Sequence, residues 1–286
     1  MILVVFLKIG LALPSMKIVR LLEAQYNLKI SNGEIYKILE QVADAFGPYY
    51  KILGQKIREA RIKHIDETSA RINGKNHWLW IFITKEIAFY AIRKNRSSNV
   101  PIKILKNQKD KIIVSDRFSA YNVLEKVSGC SLQVCWSHLL RSTKDLAEHY
   151  DEAKYVHKRF KNIYKKSTSF NHMANENQIR KLYNLTDLIA ERKYKHTEVK
   201  KFIKSVCINH RQDLFRFVIN KEIESTNNRA ERGIRPYVII RKISNGHRSK
   251  KGVDVMERLL SVIETLKLQG KNPLKEMLSI IQASEY

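Results

Sequence analysis

Six consecutive apolar residues, Trp78-Leu79-Trp80-Ile81-Phe82-Ile83, leave no polar face. A strand with one wet side alternates apolar and polar residues, so this run needs cover on both faces. It is the inner strand of a layered sheet, and its flanks supply the neighbours. On a preceding strand that starts near Arg61, Ile62, His64 and Asp66 point to one side and Ile65 and Glu67 to the other. Asn73-Gly74, between the two runs, is a strong hairpin signal because both residues tolerate positive φ. Thr84-Lys85-Glu86 turns the chain into a third strand over 87–92. A helix over 97–105 leads to Ile112-Ile113-Val114-Ser115-Asp116, a short buried strand ending in a carboxylate. A helical stretch over 120–127 and a fifth strand over 132–135 follow. Meandering strands followed by strands reached through helices describe an α/β fold: a mixed five-stranded sheet with flanking helices.

The rest of the chain reads as helix. Over 16–63, Ile18, Leu21 and Leu22 recur at helical spacing, and Ser31 with Glu34 has the capping-box spacing. Ile35, Ile38, Leu39, Val42 and Phe46 then form one apolar stripe. Two helices joined by a short turn fit either a DNA-reading helix-turn-helix or an ordinary helical hairpin. From His138 to about Lys221 the chain is helical and basic, with 16 Lys/Arg against 7 Asp/Glu between 151 and 220. A helix begins near Glu224 and is expected to stop at Arg235, because Pro236 disfavours helix in the residue before it. An amphipathic helix over 253–268 is closed by Gly270, with Pro273 beyond.

Charge narrows the partner. Lys and Arg number 53 and Asp and Glu 28, a net charge of +25. Such an excess calls for a polyanion, either nucleic acid or an anionic membrane surface. The most apolar stretch, 1–14, is interrupted by Lys8 and falls short of the roughly 20 residues a membrane span needs. It also lacks the basic start of a signal peptide. It reads as the buried end of a helix or strand, and nucleic acid remains as the partner. Three cysteines are too few for a disulfide framework and fit a reducing, cytoplasmic setting.

Three acids stand out by position: Asp66 on the first strand, Asp116 at the carboxyl end of the fourth, and Glu231 on the helix before Pro236. Carboxylates on buried strands are costly unless something compensates their charge. Bound Mg²⁺, a hard cation with oxygen ligands, does so, and a pair of such ions suits an in-line displacement at phosphate. The plainer alternatives are a helix cap for Asp116 and a surface ion pair for Glu231. Around Glu231, Asn227 and Asn228 precede at i−4 and i−3 and Arg235 follows at i+4, all able to share its helix face. From Arg229 to Lys251 there are 8 Lys/Arg and one acid, Glu231 itself. A lone carboxylate in a basic run suits a site for phosphate.

Four motifs in order carry a resemblance. They are His64-Ile65-Asp66-Glu67-Thr68, Ser115-Asp116-Arg117-Phe118-Ser119-Ala120-Tyr121, Cys135-Trp136-Ser137-His138-Leu139-Leu140-Arg141, and Asn227-Asn228-Arg229-Ala230-Glu231-Arg232 up to Pro236 with Arg241-Lys242. Together they resemble a transposase of insertion-sequence family 66, over about residues 15 to 278. The resemblance implies a ribonuclease H-like catalytic core of the DDE type, in which Asp66, Asp116 and Glu231 bind two divalent ions, Mg²⁺ with Mn²⁺ as a substitute. It also implies an organisation of a helical segment over 1–60, a first core part over 61–150, a basic helical insertion over 151–222, and a second core part over 223–286 bearing Glu231. His64, Cys135, His138, Asn227, Asn228, Arg232, Arg235, Arg241 and Lys242 are then candidates to contact DNA or support the acids. The implied activity is metal-dependent cleavage of double-stranded DNA at element ends, followed by strand transfer to target DNA. It implies a homodimer or higher assembly working at the nucleoid.

Members of that family usually carry a longer N-terminal region with a zinc-binding segment, whereas this chain starts inside the shared part. One alternative is therefore a shortened, catalytically silent relative that binds DNA non-specifically; another is a nuclease of ribonuclease H type. Cys135-x-x-His138 has zinc-ligand spacing, with Cys130 upstream, but a structural zinc site wants four ligands. Such a pair also resembles a feature of related transposases that holds the strand-to-helix turn or contacts DNA. Trp136 reads as core or as a stacking platform. His64 reads as support for Asp66 or as an ordinary core histidine.

Overall fold

The computed structural model describes residues 1–244 and 246–283. The fold is α/β, with five strands in a mixed sheet flanked by helices. The chain forms two compact units, Met1–Asn107 with the chain from Asn228 on, and Gln108–Asn227.

In the first unit, α1 (Ile2–Val5) runs into one wide helical turn, Phe6–Gly10, before α2 (Ser15–Tyr26), α3 (Asn32–Ala45) and α4 (Gly47–Glu59). The apolar start of the chain is helical, with Val4, Val5, Leu7 and Ile9 buried. The capping box forms as the spacing predicts: Ser31 Oγ accepts the Glu34 N–H, and Glu34 accepts the Ser31 N–H. Three antiparallel strands follow, β1 (Ile62–Ile72), β2 (Lys75–Ile83) and β3 (Ala88–Arg93). The β1–β2 turn places Asn73 and Gly74 at φ 46 and 73, the conformation for which that dipeptide is suited. Leu79 through Ile83 are all buried, so the apolar run is covered on both faces. On one face, Tyr50 of α4 stacks on Phe89 at 4.7 Å. After α5 (Asn99–Leu105) the chain enters the second unit.

That unit opens with β4 (Ile112–Ser115), α6 (Ser119–Ser128) and β5 (Ser131–Val134), the two strands being parallel. β5 stops one residue short of the expected end, because Cys135 already caps α7 (Trp136–His149). Then come α8 (Asp151–Ser169), α9 (Glu176–Glu191) and α10 (Thr197–Ile203), with short turns to Val218. The stretch is mostly helical and, among the described residues, holds no strand, as expected. Trp136 belongs to its core: it is fully buried, donates from Nε1 to Leu214 O at 2.7 Å, and stacks on Tyr164.

The chain returns to the first unit through α11 (Asn228–Ser244), α12 (Lys250–Leu268) and α13 (Pro273–Ala283). Two expectations about α11 fail. It begins at Asn228 rather than near Glu224, because the preceding backbone is engaged elsewhere: Ser225 O accepts the Trp136 N–H, and the Asn227 N–H donates to Cys135 Sγ. It also continues past Arg235, with Pro236 inside it. Proline removes the hydrogen bond to the Arg232 carbonyl, yet Ile234, Tyr237 and Ile240 on either side are buried, and that packing carries the helix through. Among the described residues, no helix is long and apolar enough to cross a membrane.

Candidate active site

Asp66 sits mid-strand on β1, half-buried, with Oδ1 accepting the Glu67 N–H at 2.9 Å. The register pairs it with Ile81 on β2, and Ile81 with Tyr90 on β3. Directly paired residues send their side chains to the same face. α11 covers that face. A Cβ on Gly233 would stand 2.4 Å from Ile81 Cδ1 and 2.9 Å from Ile83 Cδ1, so any larger residue would push these side chains aside, and glycine lets the helix approach closely. Tyr90 reaches the same turn, its Oη donating to Gly233 O at 2.6 Å. Glu231 lies two residues earlier, at the border of the buried stripe formed by Ala230, Ile234 and Tyr237, and is itself half-buried. His64, paired with Ile83, shares the Asp66 face and is buried.

The remaining candidates on α11 divide by exposure. Asn228, Arg232, Arg235 and Lys242 are exposed. Arg229 reaches the Thr84 carbonyl at 3.5 Å. Arg241 donates from Nη1 to the Ser69 carbonyl and to Ser69 Oγ, tying α11 to β1. On the opposite face of β1, Glu67 is buried and paired with Arg96 at 2.6 Å, whose guanidinium lies 4.9 Å from the Trp78 ring centre.

In the second unit, Asp116 follows β4 directly. Its Oδ1 accepts the Phe118 N–H at 2.9 Å, a local turn that fixes the carboxylate's orientation before α6. The Cys135 N–H donates to the Ser115 carbonyl at 2.9 Å, so Asp116 and Cys135 leave the adjoining carboxyl ends of two parallel strands. Such ends are where open α/β sheets place their ligands. Cys135 Sγ accepts the Asn227 N–H at 3.0 Å, so the cysteine clamps the segment that leads into α11, and Asn227 is buried. His138 lies in the first turn of α7, half-buried. Arg117, next to Asp116, lies 4.6 Å from the Phe202 ring centre, and burial lowers its pKa.

Asp66 and Glu231 thus belong to the first unit, and Asp116, Cys135, His138 and Asn227 to the second. Carboxylate oxygens are the donors a hard divalent cation takes, and within each unit a local bond holds the side chain of Asp66 and of Asp116 in place. For zinc, a third thiolate is poorly supplied. Burial pushes the Cys207 thiol up to about 12, away from the ionised form that zinc requires. Tyr90, Gly233 and the use of Arg241 were not marked by the sequence. A mid-helix glycine two residues after an acid is the one local sign that backbone approaches closely there.

A mixed five-stranded sheet in the order β3-β2-β1-β4-β5, flanked by helices, is the architecture of the ribonuclease H-like class of α/β proteins. The family model described as Transposase IS66 family matches residues 1–255. The chain belongs to that family, whose function is in transposition. No curated protein matches the sequence.

Proposed function

We propose that this chain is a DDE-type transposase that cleaves double-stranded DNA at the ends of an insertion sequence and transfers the freed strand to target DNA. Asp66, Asp116 and Glu231 would hold two divalent ions, Mg²⁺ or Mn²⁺. When bound, such ions polarise phosphate oxygens and activate the attacking oxygen of an in-line displacement. The protein's part is placement. Asp66 is carried by a strand with neighbours buried on both faces, and Asp116 is oriented by its own turn. Glu231 rides on a helix seated against the sheet by Gly233.

The exposed cations Arg232, Arg235 and Lys242, with the basic helices of 151–222 read as an insertion into the core, would neutralise phosphates along the duplex. Asn228 and His138 would support the acids or contact the DNA. His64 and Arg241 would act from behind, His64 beneath Asp66 and Arg241 through β1. Two DNA ends must be paired, which calls for a homodimer or larger assembly at the nucleoid.

The observation that most supports this reading is that the helix bearing Glu231 covers the sheet face bearing Asp66. Asp116→Asn tests it. Mg²⁺-dependent cleavage of end DNA should vanish, while DNA affinity and its steep fall with salt stay as in the parent. Undiminished cleavage overturns the assignment. Absence of cleavage in the parent protein with matched ends, alongside intact DNA binding, favours a silent DNA-binding relative instead.

A further inference from the structure

The row Asp66–Ile81–Tyr90 crosses the three antiparallel strands from a proposed metal ligand to a fully buried tyrosine. The far end of that row touches the helical turn that carries Glu231, through the Tyr90 hydroxyl on the Gly233 carbonyl at 2.6 Å and through Ile81 beneath the Gly233 Cα. An α-helical carbonyl at Gly233 already serves the N–H four residues on, so it has no need of a second donor. A phenylalanine at position 90 would fill the same space without burying a hydroxyl. The tyrosine therefore does something besides packing.

What it ties down is a helix weakened at this very place. Gly233 has the poorest helix propensity after proline, and Pro236 withdraws the hydrogen bond that would hold the Arg232 carbonyl. The helix directly after Glu231 thus holds the two least helix-favouring residue types, and the Tyr90 hydroxyl fixes its height above the sheet from outside.

We propose that Tyr90 is a positioning residue for the acidic site: acting through the Gly233 carbonyl, it holds the Glu231 turn at the height over β1 at which Glu231 and Asp66 serve the same cation site. This rests on the metal-binding role proposed above.

The test is Mn²⁺ titration of the full-length protein, free ion being read by electron paramagnetic resonance, beside thermal melts and DNA binding. Tyr90→Phe should weaken Mn²⁺ binding by roughly 10-fold, the scale set by residues that orient metal ligands. Its melting temperature and DNA affinity should stay close to the parent's. In a Glu231→Gln background the same substitution should change Mn²⁺ affinity no further, because the group it positions is gone. Parental Mn²⁺ affinity in Tyr90→Phe, or an equal loss in both backgrounds, overturns the proposal. Should Tyr90→Phe fail to fold, Gly233→Ala displaces the same turn with the hydroxyl intact, and parental Mn²⁺ affinity there overturns it equally. Failure of the metal reading looks different: Glu231→Gln alone would then leave Mn²⁺ affinity unchanged.

Discussion

α12 meets the three-stranded part of the sheet along its edge, whereas α11 meets it on a face. Along the edge, Glu257 Oε1, Ser261 Oγ and Thr265 Oγ1 accept the backbone N–H groups of Ile92, Tyr90 and Ala88 at 2.6, 3.0 and 3.0 Å. Thr265 also donates to the Ala88 carbonyl. Residues four apart on a helix rise about 6 Å, and alternate residues of a strand about 6.8 Å, so a helical row can service every second edge amide. This removes the unpaired edge that otherwise invites association. The rest of α12 is dense core, including Leu259, Leu260, Val262 and Ile263. α11 buries far less, carries exposed cations, and holds a glycine and a proline in its interior. α12 obeys the local rules of a stable helix and α11 breaks several. Breaches of that kind concentrate where chemistry is carried.

Substitutions can break that contrast. Glu257→Ala should have the largest effect, a loss of about 3 kcal/mol in urea unfolding. It strands the Ile92 N–H and removes one of the two partners of Arg93 and of the Tyr50 hydroxyl. A loss no larger than that of an exposed alanine substitution would show that α12 is not the stabilising partner. Pro236→Ala should move the other way, raising stability by about 2 kcal/mol as the Arg232 carbonyl regains its partner; an unchanged or lower urea midpoint would mean that the proline fits its turn without cost. Ser261→Ala, which orphans the Tyr90 N–H, should cost about 1 kcal/mol by the same measurement.

The smallest effect concerns pH. Burial raises the Glu257 carboxyl above its ordinary range, outweighing the opposing pull of Arg93 and the Ile92 N–H. The native state therefore keeps this proton where the unfolded chain has released it. Parental stability relative to Glu257→Gln should be greatest below pH 4.5, decline as pH rises through the elevated value, and then level off. Paired unfolding curves at pH 4 and pH 7 check the sign, and a gap that moves the opposite way would refute it.

Much of the frame was legible because its signals are local. The Ser31 and Glu34 cap, the Asn73-Gly74 turn, the covered run to Ile83, and the β4–α6–β5 succession each depend on residues within a few positions of one another. The proline rule failed at Pro236 for the complementary reason: it weighs one lost hydrogen bond and cannot see Ile234, Tyr237 and Ile240 buried around it. Likewise, nothing near Ser225 announces that its carbonyl is engaged by Trp136, which delays the start of α11.

By itself the sequence determined that this chain makes a layered α/β protein with a large excess of positive charge, and carries three acids spaced along a recognisable family pattern. Only the tertiary structure decided that Tyr90 reaches the Gly233 carbonyl, that Arg241 is tied to Ser69, and that α12 closes the edge of β3. These contacts join residues 143 to 172 positions apart. Periodicity and capping are written in neighbouring residues, whereas a hydrogen bond across such a span exists only once packing has brought its two ends together.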